Sequence, residues 1–181
     1  LDPDPTLFEI PIMFATGQMD GLVLEGPAAH DQLLDKGRRQ NAPWAWFIQQ
    51  GRGHETGETS YASLVFIDRM INLRYPSDAD PAKGPVELKP VDISSGYLVE
   101  NTHHHSPRVW LKSDLEEDFF PELEAEQVGT VYREHYATLS RPAKIWPYGD
   151  YQGDPADAFW LADKDLAFLF RNTLAWDKDL S

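Results

Sequence analysis

Cysteine is missing from this sequence of 181 residues. Its absence excludes disulfide scaffolds, thiolate-zinc modules, c-type haem attachment and a cysteine nucleophile. Basic residues are scarce, since 16 Lys and Arg stand against 30 Asp and Glu and give a formal net charge of −14. Nucleic-acid backbones and anionic membrane surfaces both attract basic faces, so we expect neither as a partner. Apolar runs cover only a few residues each, too few for a transmembrane helix.

The composition is that of a folded domain. Hydrophobic residues make up 41% of the chain and aromatic residues 12%, which is enough for one packed core. The sequence begins with Leu1 rather than Met, and no charged region with an apolar core follows, so we expect processing or trimming before this residue. The composition is compatible with both export and the cytoplasm, and we favour a secreted or periplasmic location.

Residues 1–76 alternate strand and helix patterns, which is typical of a parallel sheet covered by helices. The apolar run 7–15 predicts a strand buried on both faces, although Pro11 interrupts it. A surface helix is predicted over 27–40, a strand over 43–49 and a helix over 59–72. These patterns predict an α/β fold.

Residues 77–90 are rich in Pro, Asp and Gly and indicate a connector. We therefore divide the chain into an α/β core over 1–76 and a connector with a carboxyl-terminal extension over 77–181 that packs on this core. The extension contains β-like runs at 96–99 and 108–111, an acidic stretch over 113–127 and a helix pattern over 163–176. We expect it to be partly β-structured.

Two of the predicted strands run into glycine-containing loops that carry groups suited to proton transfer. Asp20 follows the first strand, and His54 follows the second. Loops at the carboxyl ends of parallel strands converge over one edge of the sheet, so we expect Asp20 and His54 to lie close together. A carboxylate that accepts the Nδ1 proton of an imidazole leaves Nε2 free to take a proton from a hydroxyl.

This arrangement resembles the carboxyl-terminal half of the α/β-hydrolase family, in its serine esterase branch. The resemblance rests on residues 12–17 followed by Asp20, on 44–48 followed by Gly51, Gly53 and His54, and on a helix over 60–72 followed by Arg74-Tyr75-Pro76. It implies hydrolysis of a small-molecule carboxylic ester, in which Asp20 orients His54 and His54 acts as general base and then as general acid. It implies no cofactor. It covers residues 7–76 well and 77–181 poorly.

The nucleophile of that family is missing from this sequence. The family places it on a G-x-S-x-G elbow that precedes the acid and the histidine, and no serine here has Gly two positions before it. Ser95 is the nearest substitute, but it follows His54 in the chain. We expect the nucleophile and the oxyanion hole to lie in an N-terminal segment or a second chain that completes the fold, because half a sheet leaves an edge strand unpaired.

Other assignments of the site stay open. Glu25 is an alternative acid, and Glu55 has the pattern of a solvent-exposed residue. The consecutive histidines at 103–105 suggest a metal-dependent hydrolase, although neighbours on a strand point to opposite faces. The acidic stretch 113–127 lacks the pattern of a calcium loop. A noncatalytic, hydrolase-like binding module that uses the tryptophans of the extension is the main alternative to an enzyme.

Overall fold

The first half of the chain forms a strand–helix–strand–helix unit, as the sequence pattern predicts. The computed structural model describes residues 4–17, 27–49, 56–101 and 143–174. The unit consists of β1 (Ile12–Gly17), α1 (Pro27–Arg39), β2 (Trp44–Gln49) and α2 (Thr59–Arg74). Strands β1 and β2 pair in parallel, from Ile12 beside Trp44 to Gly17 beside Gln49. Helix α2 ends at Arg74, and Tyr75 is its extended C-cap residue immediately before Pro76. The general α/β class is therefore confirmed.

Strand β1 is shorter and less buried than the sequence pattern predicts. A 3-10 helix over Pro5–Glu9 occupies the first half of the expected strand, with the Asp4 carboxylate accepting from the Thr6 amide at its start. Pro11 cannot donate a backbone hydrogen bond, and the strand begins directly after it. Residues Ile12 to Phe14 are half-buried and Ala15 is exposed, so the prediction of a strand buried on both faces is wrong.

The second half contributes an antiparallel sheet and a final helix. The strands are β3 (Tyr97–Glu100), β4 (Ile145–Pro147) and β5 (Ala158–Leu161), in the spatial order β4-β3-β5. Helix α3 follows as Lys164–Leu174. The expected runs at 96–99 and 163–176 correspond to β3 and α3, whereas 108–111 and 113–127 lie outside the described residues.

One hydrophobic core connects the two sheets. Trp44 and Phe47 of β2 belong to the same buried cluster as Phe159 of β5 and Phe170 of α3. The rings of Phe47 and Phe170 meet edge to face, with their centres 5.4 Å apart. Residues 77–181 thus supply part of the core against which β2 packs.

Arg38 is the largest buried charged side chain among the described residues, with no exposed surface. It lies four residues after Leu34, on the face of α1 that packs inward. Its Nε donates to the carbonyl oxygen of Ala158 at 2.9 Å, and one terminal nitrogen donates to the carbonyl of Ala42. Arg38 therefore connects the end of α1 to the first residue of β5.

Helix α2 is apolar on more than one face. Its buried residues are Ala62 and Phe66. The apolar residues expected from the helical spacing lie mostly on the opposite side, where Leu64 is 69% and Ile71 53% exposed. An amphipathic surface helix would place charged residues there. The structure thus leaves an apolar surface on α2, formed by Tyr61, Leu64, Ile67 and Ile71.

Candidate active site at the carboxyl ends of the parallel strands

The carboxyl ends of β1 and β2 lie side by side. Gly17 and Gln49 are the last paired residues, and the strands run in the same direction. Neighbouring strands in a sheet are about 4.8 Å apart. The chain therefore leaves the sheet twice at nearly the same place, once toward position 18 and once toward position 50.

The side chain of Gln49 connects the two ends of the segment that follows β2. Gln49 is 3% exposed, and its Oε1 accepts a hydrogen bond from the amide of Glu58 at 2.6 Å. Glu58 directly precedes α2. The hydrogen bond therefore joins the end of β2 to the residue that precedes α2, nine positions further along the chain.

Gly57 permits this contact. Its φ angle is +37°, and a Cβ atom at this position would collide with Oε1 of Gln49. Both facts favour glycine, because L residues with a side chain rarely adopt positive φ and have no room here.

The predicted site residues themselves lie outside the described residues. This applies to Asp20 and His54, and equally to the alternatives Glu25 and Glu55, to the histidines at 103–105 and to the acidic stretch 113–127. The pairing of β1 with β2 brings together the two strand ends from which Asp20 and His54 follow, three and five residues onward.

Ser95 does not lie on a nucleophile elbow. It lies in a short 3-10 helix over Ile93–Ser95, where its hydroxyl donates to the carbonyl of Asp92 at 2.8 Å. Ser94 donates to the carboxylate of the same Asp92 at 2.6 Å. Both serines are exposed and serve as cap contacts. No imidazole of the described residues is bonded to either hydroxyl.

Two polar residues near the sheet were not predicted from the sequence. Gln49 is the polar last residue of an otherwise apolar strand pattern, and this position was the sequence signal that could have indicated a role at the strand end. Arg38 was predicted only as a basic residue at the end of α1, although its spacing from Leu34 already places it on the inner face. Burial lowers the pKa of Arg38 to about 10, against an opposing influence of Tyr148 and Tyr151, so the guanidinium is charged at neutral pH.

The described parts of the chain contain neither a metal-binding cluster nor a membrane-spanning helix. Across residues 4–17, 27–49, 56–101 and 143–174, no group of three or more His, Asp or Glu side chains is arranged to hold a metal ion. Within the same ranges, no helix combines the length and the apolar character that crossing a membrane requires.

Comparison with known proteins gave no relative. No family model, no curated protein and no solved structure matches the chain.

Proposed function

We propose that this chain is the carboxyl-terminal part of an α/β-hydrolase that cleaves carboxylic esters, with His54 as general base and Asp20 as its carboxylate partner. The observation that supports this proposal is the parallel pairing that ends at Gly17 and Gln49. It places the start of both predicted loops at one edge of the sheet, which is where α/β proteins collect functional groups.

Chain geometry is compatible with contact between the two residues. An extended chain spans at most about 3.6 Å per residue, so Asp20 has a reach of about 11 Å from Gly17. In the sequence, His54 is two residues before Thr56 and four before Glu58, whose amide binds Gln49 at the end of β2. A carboxylate and an imidazole that start from adjacent strand ends can therefore meet above the sheet.

The proposed reaction is a two-step acyl transfer. His54 accepts the proton of a serine hydroxyl as the oxygen attacks the ester carbonyl carbon, and Asp20 stabilises the resulting imidazolium through Nδ1. Backbone N–H groups stabilise the tetrahedral oxyanion. His54 then gives the proton to the departing alcohol, and a water molecule activated by the same imidazole releases the acid. The reaction requires no cofactor.

We propose that the serine and the oxyanion hole come from an N-terminal segment or a second chain. The edge of β1 opposite β2 has no strand partner within the described residues, and residues 12–15 of that strand are only half-buried or exposed. The apolar surface on α2 lies on the same unit. Both surfaces fit a missing neighbour that would extend the parallel sheet and cover the helix.

A fluorophosphonate probe on the full-length gene product tests the enzyme proposal. We expect covalent labelling of a serine, and loss of labelling together with at least about a thousandfold lower ester turnover in His54→Ala. His30→Ala, a substitution in α1, is the matched control and should keep both. Undiminished labelling of His54→Ala would remove that residue from the proposed role.

The behaviour of the 181-residue chain on its own tests the need for a partner. We expect it to self-associate, and we expect Ile67→Ser combined with Ile71→Ser to reduce this association because both side chains are exposed. A monomeric, cooperatively folded wild-type chain in analytical ultracentrifugation and urea denaturation would contradict the partner proposal.

A further inference from the structure

A cavity of about 520 Å³ lies between β4 and α3, on the antiparallel sheet rather than on the parallel pair. Cavities of this size hold small organic molecules. Three residues of α3 face it with the spacing of one helix face, Lys164, Phe168 and Arg171. Strand β4 closes the other side with Trp146 and its neighbours.

The charge of the cavity is opposite to that of the protein. Lys144, Lys164 and Arg171 line it, and among the residues that the structure describes no Asp or Glu does. The whole chain has only 16 basic residues and a net charge of −14, so three cations without a carboxylate in one cavity are unusual for this sequence. None of the three forms an ion pair with a carboxylate of the described residues. The backbone amide of Lys144, rather than its ammonium group, donates a hydrogen bond to the carboxylate of Glu100 at 3.3 Å.

Aromatic rings lie beside these cations. The Lys144 ammonium is 6.0 Å from the centre of the Trp146 ring, and the Lys164 ammonium is 5.8 Å from that of Phe168. The Arg171 guanidinium is 5.6 Å from the Phe168 ring. The cavity therefore offers aromatic contact and positive charge to the same ligand.

Two buried N–H groups of the cavity residues lack acceptors. The indole nitrogen of Trp146 and the Nε of Arg171 have no hydrogen-bond partner among the described residues. A buried donor without an acceptor is unfavourable, and most such groups in proteins are satisfied. Both nitrogens are shielded from solvent, so a ligand in the cavity would contact the other, accessible atoms of the lining residues.

We propose that this cavity binds a small aromatic carboxylate. A carboxylate supplies a negative charge and two oxygens, which match the Arg171 guanidinium and the two lysine ammonium groups that line the cavity. An aromatic body fits the rings and the apolar part of the lining formed by Ile145 and Pro147. Metal ions do not fit this lining, because its charged groups, as far as the chain is described, are all cations. The site is independent of the proposed esterase reaction.

Binding of 2-naphthoate to the purified chain, measured by isothermal titration calorimetry, tests the proposal. We expect one saturable site whose affinity falls with added salt, and at least about tenfold weaker binding of the uncharged 2-naphthylmethanol. No binding of naphthoate, or equal binding of the two compounds, would overturn the proposal. Competition by equimolar inorganic phosphate as strong as by benzoate would overturn it too, because the site would then recognise charge alone.

Charge-neutralising variants locate the site. Arg171→Gln should weaken naphthoate binding roughly tenfold, the effect of losing one charge-assisted hydrogen bond. Lys144→Gln changes an exposed residue and should weaken binding without a change in thermal unfolding. Lys89→Gln removes the same charge from an exposed position outside the cavity and is the control. Unaltered affinity in both cavity variants, or an equal loss in Lys89→Gln, would refute this location.

Discussion

Two consecutive arginines at the end of α1 should respond very differently to substitution. Arg38 is fully buried and donates to backbone carbonyls on both sides of it, whereas Arg39 is exposed and pairs with Asp154 at 2.6 Å. We expect Arg38→Ala to lower the free energy of unfolding by about 4 kcal/mol. Arg39→Ala should have a much smaller effect, because solvent screens an exposed ion pair.

The size of the Arg38 effect follows from three contributions. Two buried carbonyls lose a charged donor, at about 2 kcal/mol each. The lost side-chain volume adds about 3 kcal/mol. Burial of the charge is itself unfavourable, and its lowering of the Arg38 pKa to about 10 corresponds to about 3 kcal/mol that the substitution recovers. The balance is a loss of about 4 kcal/mol. Arg38→Met retains most of the aliphatic volume, so it should lose only about 1 to 2 kcal/mol.

Urea denaturation followed by tryptophan fluorescence measures these differences, provided that the dependence of the unfolding free energy on urea is unchanged. The expected order of stability is wild type and Arg39→Ala, then Arg38→Met, then Arg38→Ala. An Arg38→Ala chain as stable as Arg39→Ala would show that the guanidinium does not hold α1 to β5. Equal losses for Met and Ala would show that the volume contribution is wrong.

Three further substitutions test other parts of the fold. Gly96→Ala should lose about 1 to 3 kcal/mol in urea denaturation, because a Cβ there collides with the indole of Trp160, whereas Gly149→Ala has open space and should change little; equal effects would contradict the packing described. Arg38→Lys should become more stable relative to wild type as the pH rises from neutral to about 10, since burial lowers the pKa of the lysine and the folded chain releases its proton first; a flat difference would contradict this. Burial raises the pKa of Tyr151 above its ordinary 10.0, so the unfolded chain loses the phenol proton first and stability falls as the pH rises past 10; Tyr151→Phe should show a smaller fall in pH-dependent thermal unfolding, and an identical fall would exclude the phenol as its source.

Hydrophobic periodicity and breakers predicted the elements of the first half well. Pro27 at the start of α1, Arg38 and Arg39 at its end, and Pro76 after α2 mark helix boundaries by local chemistry, which is what a sequence pattern reports. Strand β5 was missed because Ala158–Leu161 is buried at every position and shows no alternation. Only its pairing with β3 distinguishes it from the start of the following helix.

The basic cavity could not be predicted from the sequence. Lys144 and Arg171 are 27 positions apart, and the pairing of β4 with β3 and the packing of α3 bring them to one place. The apolar surface of α2 could not be predicted for a different reason. Its periodic residues were visible in the sequence, but periodicity does not indicate which face of a helix points inward. The Asp20 and His54 assignment stays a prediction.

The hydrogen bond from Glu58 to Gln49 has a consequence for how the protein tolerates change. Because this hydrogen bond joins the residues that flank positions 50–55, sequence variation at these positions does not have to alter the sheet or α2. Insertions there would lengthen the connection between Gln49 and Glu58, at an entropic cost of about 0.6 kcal/mol for each doubling of its length. Substitutions at positions 50–55 should therefore leave the sheet and α2 intact, whereas replacement of Gln49 or Gly57 would remove the hydrogen bond that joins the end of β2 to the start of α2.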